Sequence, residues 1–435
     1  MRLVRELDPP PLGPLGLDQS LSEEEQALQA KLSAFADDVL EPRAAALDRM
    51  RAEAMVAPGA DWWSVFGAFG ELGLDVEALY LSDPLRGNRL KSIAFEELGR
   101  GDAGLAIGLM VAYFPYVMCR LLDRPDLAGA AEGKVGCWIA TQEVRGSDAG
   151  DVEGKLMARG SRHEAPQMHA RLDGDAVVLN GHSSPWVSLG PVAQVALGYF
   201  PLLTDGEPDY DEDGTLRGVG VFVPLDAPGV TKGVPLDKLG QRTLPQGAIH
   251  FDGVRLPMDH VVATPEDYRA SFASALVEGN QTLAAVFTGL ARRSLEHGLA
   301  YAAERRQGGA PITDHQLVRH RLFAAFRSVE AMRAVTRLAF DRNGRGEGPQ
   351  LLASVTAKTF VTEAAIEVTA DCLRFFGGRG LSRGYPMEKL LRDVRASVTE
   401  DGDNHILGLV AADHLLRARG EARENASYAE RYPLV

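Results

Sequence analysis

The chain has 435 residues, 45% of them hydrophobic and 24% charged, with a formal net charge of −14. That length exceeds one usual domain, and the composition is that of a globular protein, which excludes a disordered chain. The acidic balance argues against a broad phosphate-binding surface, so nucleic acid is not an expected partner, although a local basic pocket stays open. Cys119, Cys137 and Cys372 are widely separated, odd in number and without metal-ligand spacing. They read as small core hydrophobes in a reducing compartment, and no metal is expected. The N-terminal residues contain no apolar run of signal-sequence length, and no stretch reads as a membrane span; a cytoplasmic enzyme is the expectation.

A Pro-rich lead runs to about residue 18. Ser22 followed by Glu25 fits a capping box, and Leu28, Leu32, Phe35 and Leu40 then recur near helical spacing. Helical patterning continues through Ile93-Ala-Phe-Glu-Glu-Leu and Leu105-Ala-Ile-Gly-Leu-Met-Val, so residues 1–134 read as a helical domain. From Val135 the character changes. Ala176-Val-Val-Leu, Val192-Ala-Gln-Val-Ala-Leu, Val219-Gly-Val-Phe-Val and Ala248-Ile-His-Phe alternate with Gly, Asp and Pro turns, which predicts a compact β unit over residues 135–262. The helical period returns over residues 263–435. Leu283, Phe287, Leu290, Leu295 and Leu299 mark one long helix. Leu322, Phe326, Val329 and Met332 mark a second from Gln316, and a third spans about Leu351 to Phe375. Such helices pack as an antiparallel bundle. The fold class is α+β in the order α, β, α, without the strand–helix alternation of a doubly wound nucleotide fold.

Several motifs then follow in one order: Thr141-Gln-Glu-Val-Arg-Gly-Ser-Asp-Ala-Gly, Leu179-Asn-Gly-His-Ser-Ser-Pro-Trp-Val-Ser, Lys238-Leu-Gly-Gln-Arg and Phe251-Asp-Gly-Val-Arg-Leu-Pro. The last third adds Tyr301-Ala-Ala-Glu-Arg, Pro311-Ile-Thr-Asp-His-Gln, Phe376-Gly-Gly-Arg-Gly and Gly384-Tyr-Pro-Met-Glu-Lys-Leu-Leu-Arg-Asp-Val-Arg. Over nearly the whole chain this set resembles the acyl-CoA dehydrogenase family. The resemblance implies an N-terminal helical domain, a middle β-sandwich or barrel-like domain and a C-terminal four-helix bundle. It also implies bound FAD, an acyl-CoA substrate, electron-transfer flavoprotein as electron acceptor, and a homo-oligomer, dimer or tetramer, whose neighbouring subunit completes the site.

Carried over residue by residue, the resemblance puts Trp138, Thr141, Gly146 and Ser147 at flavin- or acyl-facing positions. Trp186 and Ser188 border the flavin ring. Arg305 reaches the flavin pyrophosphate of a neighbouring subunit, Gln316 and Asp403 stand on the cofactor side, and Gly377 and Gly378 pass close to the dinucleotide. Arg374 replaces an expected glutamine and either contacts phosphate or faces solvent. Ser147, Asn280 and Gly402 are expected at the substrate.

The base departs from the pattern. Counted from Arg392-Asp393, the family's Glu-Gly pair falls on Asp401-Gly402, preceded by Glu400, so either carboxylate is a candidate for abstracting the α-proton. Aspartate is one methylene shorter, and transfer needs heavy atoms about 2.6–3.2 Å apart. Relatives that place the base on the helix opening the last domain have it where Gly279 stands here, with Glu278 beside it and Asn280 in place of an arginine. Asp102 is a further acid of structural type. Oxidase chemistry, redox-neutral thioester elimination and a non-catalytic flavin-binding role share most of these motifs.

Overall fold

Helix α1 (Glu23–Phe35) opens on the capping box read from the sequence: Ser22 Oγ accepts from Glu25 N at 3.2 Å, and Glu25 returns the bond by accepting from Ser22 N at 2.8 Å. The computed structural model describes residues 12–18, 20–151, 166–212, 214–346, 348 and 350–421. Residues 1–11 of the Pro-rich lead lie outside them. Leu32, Phe35 and Leu40 are buried as their spacing predicts.

Helix α2 (Pro84–Gly101) begins with Pro at its first position, where no N–H is needed, and with the Asp83 side chain accepting from Leu85 N and Arg86 N. Asp102 ends it and caps α3 (Ala103–Leu121). By length and composition α3 is apolar enough to cross a membrane, which corrects the expectation that no stretch reaches that level. Its apolar character has another cause: two-thirds of the helix is buried inside the protein, so most of its circumference has no contact with water.

The β unit holds two four-stranded sheets. One runs β1 (Gly136–Ile139), β4 (Val195–Pro201), β5 (Gly218–Pro224) and β8 (Val261–Ala263), with β1 parallel to β4 and the rest antiparallel. The other runs β2 (His169–Asp173), β3 (Ala176–His182), β7 (Ile249–Pro257) and β6 (Val230–Lys232), all antiparallel. β4 is buried at every position and β5 at all but its last, so they read as continuous apolar runs rather than alternating ones. In β7 buried and open residues nearly alternate, as on a sheet with one wet face.

The last third contains α4 (Tyr268–Glu304), α5 (Gln316–Gly344), α6 (Leu351–Phe376), α7 (Met387–Ala396) and α8 (Asn404–Glu421). Leu283, Phe287 and Leu290 are buried, but Leu299 is 45% exposed. Sixteen residues beyond Leu283 it has turned roughly 160° around the helix, off the apolar stripe. α2 crosses α4 at backbone contact: a Cβ on Gly99 would overlap the Val286 backbone, and one on Gly289 the Glu96 carbonyl. Beside this crossing lies a buried ionic cluster. Arg333 donates to Glu96 at 2.8 Å, Arg292 to Glu97 at 2.8 Å, and Arg100 to Glu97 at 2.9 Å. All three cysteines are free and buried.

Candidate active site

The β unit and the C-terminal helices meet α2 and α3 around a cavity of about 1330 Å³. Asp401 stands on its wall in the turn between α7 and α8. Its backbone lies in the left-handed region, φ 46°, followed by Gly402 at φ 107°. A non-glycine residue there costs on the order of 1–3 kcal/mol and persists only where its surroundings fix it. The surroundings do so from three sides. Lys358 Nζ, on α6, donates to the Gly402 carbonyl at 2.7 Å and to Asn404 Oδ1 at 2.8 Å. Asn280 Nδ2, on α4, reaches the Asp401 carbonyl at 3.4 Å. Ser147 Oγ accepts from Asp403 N at 2.9 Å, tying in the Gly146-Ser147 turn.

Among the described residues no hydrogen-bond donor engages the Asp401 carboxylate, which opens on the cavity. Burial pushes it up to about 6 against the pull of Lys358. Opposite stands Gly279 of α4, where a Cβ would overlap that carboxylate. The two positions from which a base was expected therefore address one point in space, and the bare glycine leaves the room that the aspartate fills. With Asp401 as the base that the resemblance implies, Gly279→Ala is expected to displace it and slow flavin reduction about tenfold to a hundredfold while the fold stays intact. Rapid-mixing flavin reduction beside thermal melting checks this; wild-type rates would show that the clearance is irrelevant.

Glu400 also lines the cavity, but it is engaged. Gln241 Nε2 donates to it at 2.9 Å. Burial pushes Glu400 up to about 7, with Gln241 and Lys238 pulling the other way and Asp401 adding to the rise. Lys238 is itself pushed down to about 8 by burial; it donates to Leu244 O at 2.8 Å and Gln246 Oε1 at 2.6 Å. Lys358 is likewise pushed down to about 8. Of the other acids, Glu278 is held by Lys91 at 2.7 Å. Asp102 accepts from Leu105 N at 2.8 Å and Thr243 Oγ1 at 2.6 Å while pairing with Lys389, so its oxygens are spent on structure.

Trp138, Thr141, Gly146, Ser147, Trp186, Ser188 and Gly402 line the same cavity. Thr141 Oγ1 lies 2.7 Å from Ser184 Oγ, and Gln246 Nε2 donates at 3.2 Å to both the Trp186 carbonyl and Ser188 Oγ. Trp186 is 59% exposed, so it does not fill the β core. Trp138 Nε1 is a buried donor without a partner among the described residues. An open aromatic face, several hydroxyls and an orphaned donor around one cavity fit the edge and face of a flavin ring.

Asn280, expected at the substrate, is fully buried and does not line the cavity; its amide donates to Leu276 O at 2.8 Å and reaches the Asp401 carbonyl from behind the wall. Asp403 does not line it either, because its side chain accepts from His405 N at the start of α8. Arg305, Gln316, Arg374, Gly377 and Gly378 gather away from the cavity at the ends of α4, α5 and α6. Arg305 donates to Phe375 O at 2.6 Å and packs on Gly377, Gln316 is exposed, and Arg374 pairs with Asp371 at 3.0 Å in solvent. Gln241, Lys238 and Lys358 were not assigned from the sequence. Gln241 and Lys238 sit in a motif already noted there, and a lone lysine amid the apolar run of α6 was a signal for the third.

Two family models match: "Acyl-CoA dehydrogenase, N-terminal domain" over residues 22–120 and "Acyl-CoA dehydrogenase, C-terminal domain" over residues 270–416. A probable acyl-CoA dehydrogenase of Mycobacterium tuberculosis is 26% identical over 411 residues, covering 91% of this chain and 96% of that protein. The mitochondrial short-chain specific acyl-CoA dehydrogenase of Rattus norvegicus is 28% identical, covering 92% and 91%. Among solved structures, a glutaryl-CoA dehydrogenase of Mycobacterium smegmatis in complex with FADH2 superposes with a TM-score of 0.76 at 21% identity, covering 96% of this chain and all of that one.

Proposed function

Since the chain belongs to the acyl-CoA dehydrogenase family, we propose that it is a FAD-dependent enzyme that desaturates an acyl-CoA between Cα and Cβ, with Asp401 as the base. The observation that carries the assignment of the base is its unengaged carboxylate, held in a strained turn and facing the space left by Gly279. Bound FAD supplies the hydride acceptor. Asp401 takes the α-proton, and its burial brings its proton affinity close to the working pH, as an efficient general base requires. Trp138, Thr141, Ser147, Trp186 and Ser188 hold the flavin, and Gly402 and Ser147 lie along the thioester. Glu400, bound to Gln241 and flanked by Lys238, keeps a second proton-sharing group beside the base without competing for the substrate.

Arg305, Gln316, Arg374, Gly377 and Gly378 line no part of this chain's cavity and serve the cofactor of a second copy in a homo-oligomer. Electrons leave to an electron-transfer flavoprotein. The test is an anaerobic screen of the flavoprotein against linear, branched, cyclic and aromatic acyl-CoAs. Bleaching of the yellow flavin by one class supports the reading. Hydrogen peroxide formation in air or product without flavin turnover assigns oxidase or elimination chemistry instead.

The pH dependence has a definite sign. The base works ionised, so flavin reduction should rise about tenfold per pH unit below about 6 and level off above it. Glu400 adds a weaker inflection near 7, since the neighbouring carboxylates titrate as a pair. A rate independent of pH between about 5 and 7 removes Asp401 from the step.

A further inference from the structure

The cavity lining is largely apolar and carries one polar strip. α3 lines it with Ile107, Met110, Val111 and Phe114 and α4 with Phe272, Leu276, Val277 and Leu283, and among these stand Lys91 of α2 and Glu278 and Gln281 of α4. Lys91 is only 4% exposed, yet it is one of the residues that line the cavity. Its Nζ lies 2.7 Å from Glu278 Oε1 and 4.6 Å above the Tyr80 ring. Gln281 Nε2 donates to Glu278 Oε2 at 2.7 Å, and Asn343 Nδ2 donates to Gln281 Oε1 at 2.8 Å. An ammonium has three N–H donors, and among the described residues Glu278 is the one hydrogen-bond partner that Lys91 has, so donors remain to be used.

The strip is close to the chemistry. Glu278 immediately precedes Gly279, the residue against the Asp401 carboxylate, and Gln281 follows two residues later. The polar groups thus begin within about one helical turn of the base, roughly 5 Å along the axis. Methylenes laid over Lys91 and Glu278 would take water from both and return no hydrogen bond. A hydroxyl or carbonyl oxygen would accept from Lys91. A carboxylate would not suit the site, because Glu278 already cancels the lysine and Glu400 and Asp401 face the same space.

Resting on the desaturase reading above, we infer that the Lys91–Glu278–Gln281 strip selects an acyl chain bearing an uncharged oxygen substituent, hydroxyl or keto, beyond the reacting carbons. The test measures kcat/KM of the FAD-loaded enzyme for acyl-CoAs of matched length that are unsubstituted, hydroxylated, oxo-substituted or terminated by a carboxylate. A preference of at least about tenfold for the hydroxy or oxo members over both others is expected. The paired substitution Lys91→Met with Glu278→Gln, which removes the charges together, should bring the ratio below about threefold with most of the change in KM; Gln281→Leu, which leaves the buried ion pair in place, provides a second variant. An equal or better rate with the unsubstituted or carboxylate chain overturns the subsite and leaves the desaturase reading standing. So does a ratio unmoved in variants that still bind FAD. Failure of every thioester to reduce the flavin overturns both.

Discussion

Asp401→Asn is expected to slow flavin reduction by an acyl-CoA about 10²- to 10⁴-fold, the usual contribution of a positioned general base, while the variant keeps its FAD. The substitution conserves volume, and the carboxylate has no hydrogen-bond donor among the described residues, so little of the fold depends on its charge. The backbone contacts that hold the turn, from Lys358 to Gly402 O and from Asp403 N to Ser147 Oγ, are untouched. Glu400→Gln, by contrast, should cost less than about tenfold, because Gln241 already occupies that carboxylate. Stopped-flow reduction under anaerobic conditions separates the two. Turnover by Asp401→Asn with loss in Glu400→Gln would exchange their roles.

The second large effect is on stability. Glu96 is buried between Arg333 and Arg292, at 2.8 and 3.4 Å. Burial alone would raise its pKa, but the two guanidiniums outweigh that and hold it below the ordinary carboxylate value. Glu96→Ala leaves two buried arginines without this partner beside the α2–α4 crossing, which is expected to destabilise the protein by about 3–5 kcal/mol. The sign with pH follows from the depressed pKa. The contribution is present above the unfolded carboxylate pKa and is lost as pH falls through the folded one. Chemical denaturation of wild type and variant at neutral and acid pH checks it: a wild-type advantage that does not shrink towards acid pH would contradict this account.

Local patterning made much of the architecture legible. The capping box at Ser22, the helix from Gln316 and the one from Leu351 appear where the spacing put them, because each signal lies within one or two helical turns. The apolar runs 192–197 and 219–223 read as strands for a similar reason, and the strands observed there span Val195–Pro201 and Gly218–Pro224. Leu299 misled because a stripe extrapolated over sixteen residues drifts around the helix. α3 was underestimated as an apolar span because its membrane-like composition is that of a helix covered by protein.

The site divides along the same line. The sequence alone determined the family resemblance, the segment bearing the acids and several of the residues that line the cavity, since those motifs are contiguous and chemically distinctive. The tertiary structure decided which carboxylate is free. Gln241 engages Glu400 across 159 positions, Lys358 pins Gly402 across 44, and Gly279 meets Asp401 from a different helix. It also moved Asn280 behind the wall and brought Lys91 to Glu278 across 187 positions. Periodicity reports which face a residue takes within its own element, but hydrogen bonding and desolvation depend on which elements pack together. Only that packing gives the two adjacent acids different surroundings.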